Sequence, residues 1–258
     1  MSVYLTAMKS GMKRTIGAPG EVMVRTGFYA VIVVVFAALW RAATDSNGGS
    51  LAGYDYRALL WYVAGAEAAV IATKPRLIED IGFAIGDGTI SIEMLRPVSI
   101  VGFRIAVELG EALIRLVAAL AMGTFLVMMF AGPPPSLTGV LVAIPALPLA
   151  VVINLAAQHA FAAAAFWMDD AKGTWFLYQK LIFLLGGMLL PLELFPGWLH
   201  QVATFLPFWT MAYVPARALA GRPDPLLLVV QVFWLGALLA LAFGVFRVGE
   251  RRLQAVGG

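Results

Sequence analysis

Long apolar runs separated by short polar breaks organise this chain. Runs of about twenty apolar residues recur, each long enough to cross a hydrocarbon core of roughly 30 Å. Ahead of the first run, Tyr4, Met8 and Met12 fall four apart with Lys9, Lys13 and Arg14 nearby. That spacing predicts a short basic amphipathic helix over 2–16, lying on the inner leaflet with its cations toward anionic headgroups. The Gly-Ala-Pro-Gly run at 17–20 breaks it. Spans are expected over 26–43 and 54–73, joined by a polar turn at 45–50. The third helix is expected over 101–131, and at 1.5 Å per residue it outreaches a bilayer core. A fourth span over 137–167 contains Pro145 and Pro148, and a fifth begins near Thr174 and meets Gly186 and Gly187. Over 191–215 four prolines cut the chain into aromatic-rich pieces too short to cross. An outer re-entrant or interfacial hairpin fits that pattern. A sixth span covers 225–246.

The exception to this oily pattern is the segment 74–99. It carries Lys74, Arg76, Glu79, Asp80, Asp87, Glu93 and Arg96, two helix-breaking glycines (Gly86, Gly88), and Pro97 near its close. Leu77, Ile78, Ile81 and Ile85 have near-helical spacing and predict a short amphipathic helix. Ile90, Ile92 and Met94 alternate as an extended piece would. A polar hinge with an oily stripe suits a surface at the bilayer edge offered to a soluble partner. An ordinary solvated loop would look the same.

Composition agrees with the membrane reading. Of 258 residues, 61% are hydrophobic and 13% charged, and the mean hydropathy is +0.87. A soluble domain sits near half apolar and a quarter charged. About 25 polar or mixed residues precede the first apolar run, which argues for a retained signal anchor rather than a cleaved leader. The net charge of +3 is explained by position and calls for no nucleic acid. Thirteen Lys and Arg fall on the side of both termini and the 74–99 loop, against Arg41, Arg57, Arg217 and Arg222 opposite, with Arg115 unassigned. The excess orients both ends and the 74–99 loop toward the cytoplasm. No cysteine is present, so there is neither a disulfide framework nor a thiolate metal site.

Candidates for chemistry are few. No phosphate-binding loop occurs, so ATP hydrolysis is not expected of this chain. His159 and His200 fall on opposite halves of the membrane, which disfavours a metal site. Asp169 and Asp170 share a short loop with Lys172 and read as a solvated turn or helix cap. Intramembrane polar groups are pathway candidates by default. Asn154, Gln158 and His159 lie on the inner half of the fourth span, with interhelical hydrogen bonding as the plainer account. Glu67 lies near the inner end of the second span and could be neutralised by a cation there. Arg104, Glu108, Glu111 and Arg115 occupy one stripe, either a proton relay or a ladder of the pairs Arg104–Glu108 and Glu111–Arg115.

The segment Ile85-Gly86-Asp87-Gly88-Thr89-Ile90, followed by Met94-Leu95-Arg96-Pro97-Val98-Ser99, resembles a stretch of ABC transporter permeases of the type-2 exporter class. Met94 stands where that family often has leucine. Phe166-Trp167, Tyr178, Gly186-Gly187, Pro191 to Leu199, Leu206-Pro207-Phe208 and Ala220-Gly221 are similar to its second half. The resemblance implies an all-α polytopic membrane protein, one permease domain over 1–258, with six transmembrane helices. It adds an N-terminal interfacial helix and an outer re-entrant hairpin between spans five and six. It further implies a bacterial inner-membrane exporter subunit that pairs with a second permease and with two cytoplasmic ATPase subunits. ATP and Mg would be bound by those ATPases, and no cofactor by this chain. The 74–99 loop would carry the coupling helix, with Leu77 to Ile85 as docking face and Glu79 and Asp80 meeting basic ATPase residues. Gly86 and Gly88 would turn the backbone, and Arg96 and Pro97 would fix the start of the third helix. Glu67, Phe176, Phe183 and Met188 would line the substrate path, implying an apolar or amphipathic passenger. A membrane-embedded lipid-modifying enzyme and a non-transporting scaffold are the competing classes. The enzyme would need convergent acid, base or metal residues, and the sequence supplies none that assemble.

Overall fold

The computed structural model describes residues 2–95, 97–168 and 171–256. The chain is built of helices: α1 (Ser2–Gly17), α2 (Pro19–Ser46), α3 (Tyr56–Ile71), α4 (Leu77–Gly86), α5 (Thr89–Met94) and α6 (Ile100–Ala131) in the first half. The second half holds α7 (Leu137–Ala162), α8 (Lys172–Leu185), α9 (Gly197–Phe205), α10 (Trp209–Leu219) and α11 (Leu226–Val256). Short 3-10 turns occupy Ala163–Phe166 and Leu192–Leu194. The strands β1 (Ser50–Leu51) and β2 (Tyr54–Asp55) form a two-stranded antiparallel hairpin between α2 and α3.

Among the described residues, four segments are long and apolar enough to cross a membrane: Pro19–Ser46, Ile100–Ala131, Leu137–Phe166 and Leu226–Arg252. The expected second and fifth spans are helical but shorter, with 16 residues in α3 and 14 in α8. Position explains the character of α3. It packs against α2, α6, α7 and α10, and every residue from Ala58 to Ala69 is buried. A helix enclosed on all sides is apolar all round rather than striped.

Side-chain caps fix the starts of α3, α7 and α6. Asp55 accepts from the Ala58 amide at 2.8 Å, Ser136 from Gly139 at 3.2 Å, and Ser99 from Gly102 at 3.4 Å. Each satisfies an amide that the helix itself leaves unpaired. The start of the third helix is therefore set by Ser99 behind Pro97. Arg96 lies outside the described residues.

The expected outer hairpin is helical, but its two arms differ. All of α10 from Trp209 to Ala216 is buried against α3 and α7, whereas α9 exposes Trp198, Val202 and Phe205. Glu193 ties this end together, accepting from Tyr54 at 3.0 Å and Tyr213 at 2.8 Å, with Arg217 at 3.6 Å. Arg222 stacks 3.7 Å from the Tyr54 ring centroid. Three of the four cations assigned to the outer side thus gather at one end, since Arg41 stands over Tyr56.

At the other end α1 lies along α6. A side chain at Gly11 would strike the Val107 carbonyl, and one at Gly110 the Met8 carbonyl. Backbone meets backbone there, as small residues permit between helices in lipid. An alternating ladder of charges closes the seam: Arg14 to Glu111, Glu111 to Arg115 at 2.9 Å, Arg115 to Glu21 at 3.3 Å, and Glu21 to Arg25 at 3.0 Å. The expected Glu111–Arg115 pair is present within it. The Arg104–Glu108 pair does not form, because Arg104 makes a bidentate contact with Glu93 at 2.8 Å. Glu108 keeps one buried oxygen, Oε2, without a hydrogen-bond partner among the described residues.

Replacing Gly110 with leucine should force α1 off α6 and lower stability by about 2 kcal/mol, the usual range for overpacking. The check is thermal unfolding of the purified chain, together with faster proteolysis within α1. Gly27→Leu, where a side chain meets open space, should leave both unchanged.

Candidate functional site

The 74–99 segment is an elbow of two helices. Gly88 takes φ +79° between them, a left-handed conformation that glycine adopts without penalty. Gly86 stays helical with open space around it. The turn therefore belongs to Gly88 alone. Asp87 braces it, accepting from the Thr89 amide at 3.0 Å and the Thr89 hydroxyl at 2.7 Å. These bonds hold the Asp87 carboxyl below its ordinary range, the amide contributing most. The piece over 90–94 is helical, contrary to the expected extended form. Ile90 points into the core while Ile92 is exposed, so the apolar alternation reflects opposite faces of one short helix.

The expected docking face is turned the other way. Leu77, Ile78, Ile81 and Ile85 are buried, and so is Glu79. Their stripe packs on α7, α8 and the Ala163–Phe166 turn. An amphipathic helix must cover its apolar face, and here the chain's own bundle covers it. Glu79 pairs with Arg76 at 3.0 Å and Asp80 with Lys74 at 2.5 Å. The large apolar side chains left in the open are Phe83, Ile92 and Leu95, at 58%, 69% and 83% exposure. Periodicity could not mark them, because each stands off the buried stripe.

Two anchors hold the start of the elbow to α8. Trp175 Nε1 donates to the Pro75 carbonyl at 2.6 Å, and Gln179 donates to the same oxygen at 3.3 Å. At its far end the Glu93–Arg104 pair fastens α5 to α6. The elbow is thus fixed at both ends and along one face.

Beside the elbow, a cavity of about 430 Å³ lies among α2, α3, α7 and α8. One wall is a closed polar network. Asn154 and Gln158 donate to the Thr73 hydroxyl at 3.3 and 3.2 Å, Gln158 to Asn154 Oδ1 at 2.9 Å, and Tyr178 to the same oxygen at 2.5 Å. Asn154 and Gln158 are thus hydrogen-bonded to the segment that follows α3. Glu67 is 6% exposed and lines the cavity. The expected neutralising cation is not beside it: no Lys or Arg among the described residues pairs with it.

The remaining candidates are scattered. Phe176 and Phe183 face outward from α8, Met188 is buried, and none of the three lines the cavity beside Glu67. His159 is fully buried, and its Nδ1–H donates to the Leu155 carbonyl at 2.8 Å. It stands apart from exposed His200. No group of three potential metal ligands occurs among the described residues. Asp169 and Asp170 lie outside those residues.

A family model described as ABC-2 family transporter protein matches residues 28–257. A comparison with curated proteins finds no match.

The bracing of Asp87 carries a pH signature. A depressed folded-state value means the turn's stabilisation is intact above the ordinary aspartate range, near 3.9. It is lost as pH falls through the lowered value. Carboxyl NMR titration should place Asp87 below 3.9, and Thr89→Ala should move it part of the way back, since the stronger amide bond remains.

Proposed function

The chain belongs to the ABC-2 family of transporter proteins, and from that premise we propose that it is the permease of an exporter driven by separate cytoplasmic ATPases. Membership makes it an integral membrane component of an ABC transporter. The direction of transport, the partners and the coupling are our reading. Helices α2, α3, α6, α7, α8 and α11 are the six spans, with α3 and α8 completed by the turns that flank them. Helices α9 and α10 form the re-entrant outer hairpin, and α1 lies in the inner interface. Both termini are cytoplasmic, in a bacterial inner membrane. A second permease, like or different, completes the path, and ATP and Mg reside on the ATPase pair.

One observation carries this reading. The elbow is clamped into the bundle by Leu77, Ile78, Ile81 and Ile85, yet presents Phe83, Ile92 and Leu95 outward. Exposed apolar side chains on a charged, water-facing segment suit a partner's groove. The docking surface is then these three residues with Asp80, and the expected stripe is the anchor behind it. ATP-driven closure of the ATPases would press on this surface. The load would pass through the buried stripe to α7 and through Trp175 to α8. Nucleotide binding would thereby favour one arrangement of the spans over another.

Two measurements test the proposal. Phe83→Asp and Ile92→Asp should each cut ATPase co-purification and ATP-driven efflux by about tenfold or more, as removal of an interface anchor does, with normal membrane accumulation. Leu77→Asp should reduce accumulation itself. Unchanged efflux in the first two variants would discard the docking surface. Because the native chain has no cysteine, single cysteines report topology cleanly. Ile92→Cys should be shielded from an impermeant maleimide in intact cells, and Gly49→Cys labelled. Labelling at position 92 would invert the orientation.

A further inference from the structure

We infer that the cavity between α2 and α8 is a binding site for an amphiphile with a cationic head, and that Glu67 is its counter-ion. The site is built rather than incidental. Its volume of about 430 Å³ suits a small organic molecule. Phe28, Ile32, Val70 and Ile182 supply apolar wall, and the Thr73–Asn154–Gln158–Tyr178 network supplies a fixed polar one. Val24 and Phe28 line it while themselves exposed. The mouth therefore opens on the outer surface of the bundle, where a compound dissolved in the inner leaflet would enter.

Charge selects the ligand. Three acidic or basic side chains line the cavity: Arg25, Lys74 and Glu67. Arg25 already pairs with Glu21 and donates to the Thr73 carbonyl at 3.1 Å, and Lys74 pairs with Asp80. Glu67 has no hydrogen-bond or ion-pair partner among the described residues, and it lines the cavity. A lone carboxylate in lipid-depth surroundings is costly to keep and marks a functional position. A ligand bringing positive charge relieves that cost, whereas an anion meets like charge and cations already engaged. The apolar wall takes the rest of such a molecule. Its role as the transported compound rests on the permease reading, but its binding does not.

The test is equilibrium binding of ethidium, an aromatic cation, to the full chain in phosphatidylcholine nanodiscs without ATPase or ATP. Saturable binding is expected, weakened by about tenfold, or 1.4 kcal/mol, in Glu67→Gln and retained in part by Glu67→Asp. Phe28→Ala, on an exposed side chain, should weaken it severalfold without disturbing the fold. The anionic probe 1-anilinonaphthalene-8-sulfonate should not compete. Equal affinity in wild type and Glu67→Gln, or displacement by the anionic probe, would overturn the site. Failure to recruit an ATPase would instead strike the permease reading and leave this isotherm unchanged.

Discussion

Burial of one apolar stripe decides the geometry of the elbow end of the molecule. With Leu77, Ile78, Ile81 and Ile85 sunk between α7, α8 and the Ala163–Phe166 turn, the charges of α4 have no freedom of direction. Arg76 is drawn to Glu79 and Lys74 to Asp80, and Pro75 is brought under Trp175 and Gln179. The same burial sends Phe83 to the surface. A solvated loop would have none of these constraints, because nothing would oblige its helices to keep a fixed orientation to the spans.

Much of this fold is legible along the chain, and the reason is lipid. A bilayer demands long apolar helices with their backbone bonds satisfied internally, so α6 and α7 start and stop close to where hydropathy puts them. What is not legible is which neighbour covers a given face. The stripe of α4 is plain in the sequence, but periodicity alone does not say whether an ATPase or α7 lies against it. Arg104 shows the same limit. Helical spacing offers Glu108 as partner, while the turn at Pro97 swings Glu93 into better reach. The isolation of Glu67 is likewise a property of packing, visible only once Arg25 and Lys74 are seen to be occupied by others.

The two ends of the bundle use different chemistry to hold their shape. At the hairpin end, Glu193, in the Leu192–Leu194 turn, collects a tyrosine hydroxyl from β2 and a second tyrosine and an arginine from α10. At the elbow end, opposite charges alternate from Arg14 through Glu111, Arg115 and Glu21 to Arg25. The last of these donates to carbonyls at the close of α3. Helices α1, α2, α3 and α6 are thus joined through a single line of contacts beside the cavity.

The glycine seam between α1 and α6 gives that line a mechanical meaning. Where two backbones touch at Gly11 and Gly110, no side chain is present to yield as a cushion. A tilt of α6 must then carry α1 sideways with it, like an outrigger moving with its hull. With α1 in the inner interface, as proposed, the lateral pressure and surface charge of that leaflet would enter the work of each cycle, making the surrounding lipid a component of the machine.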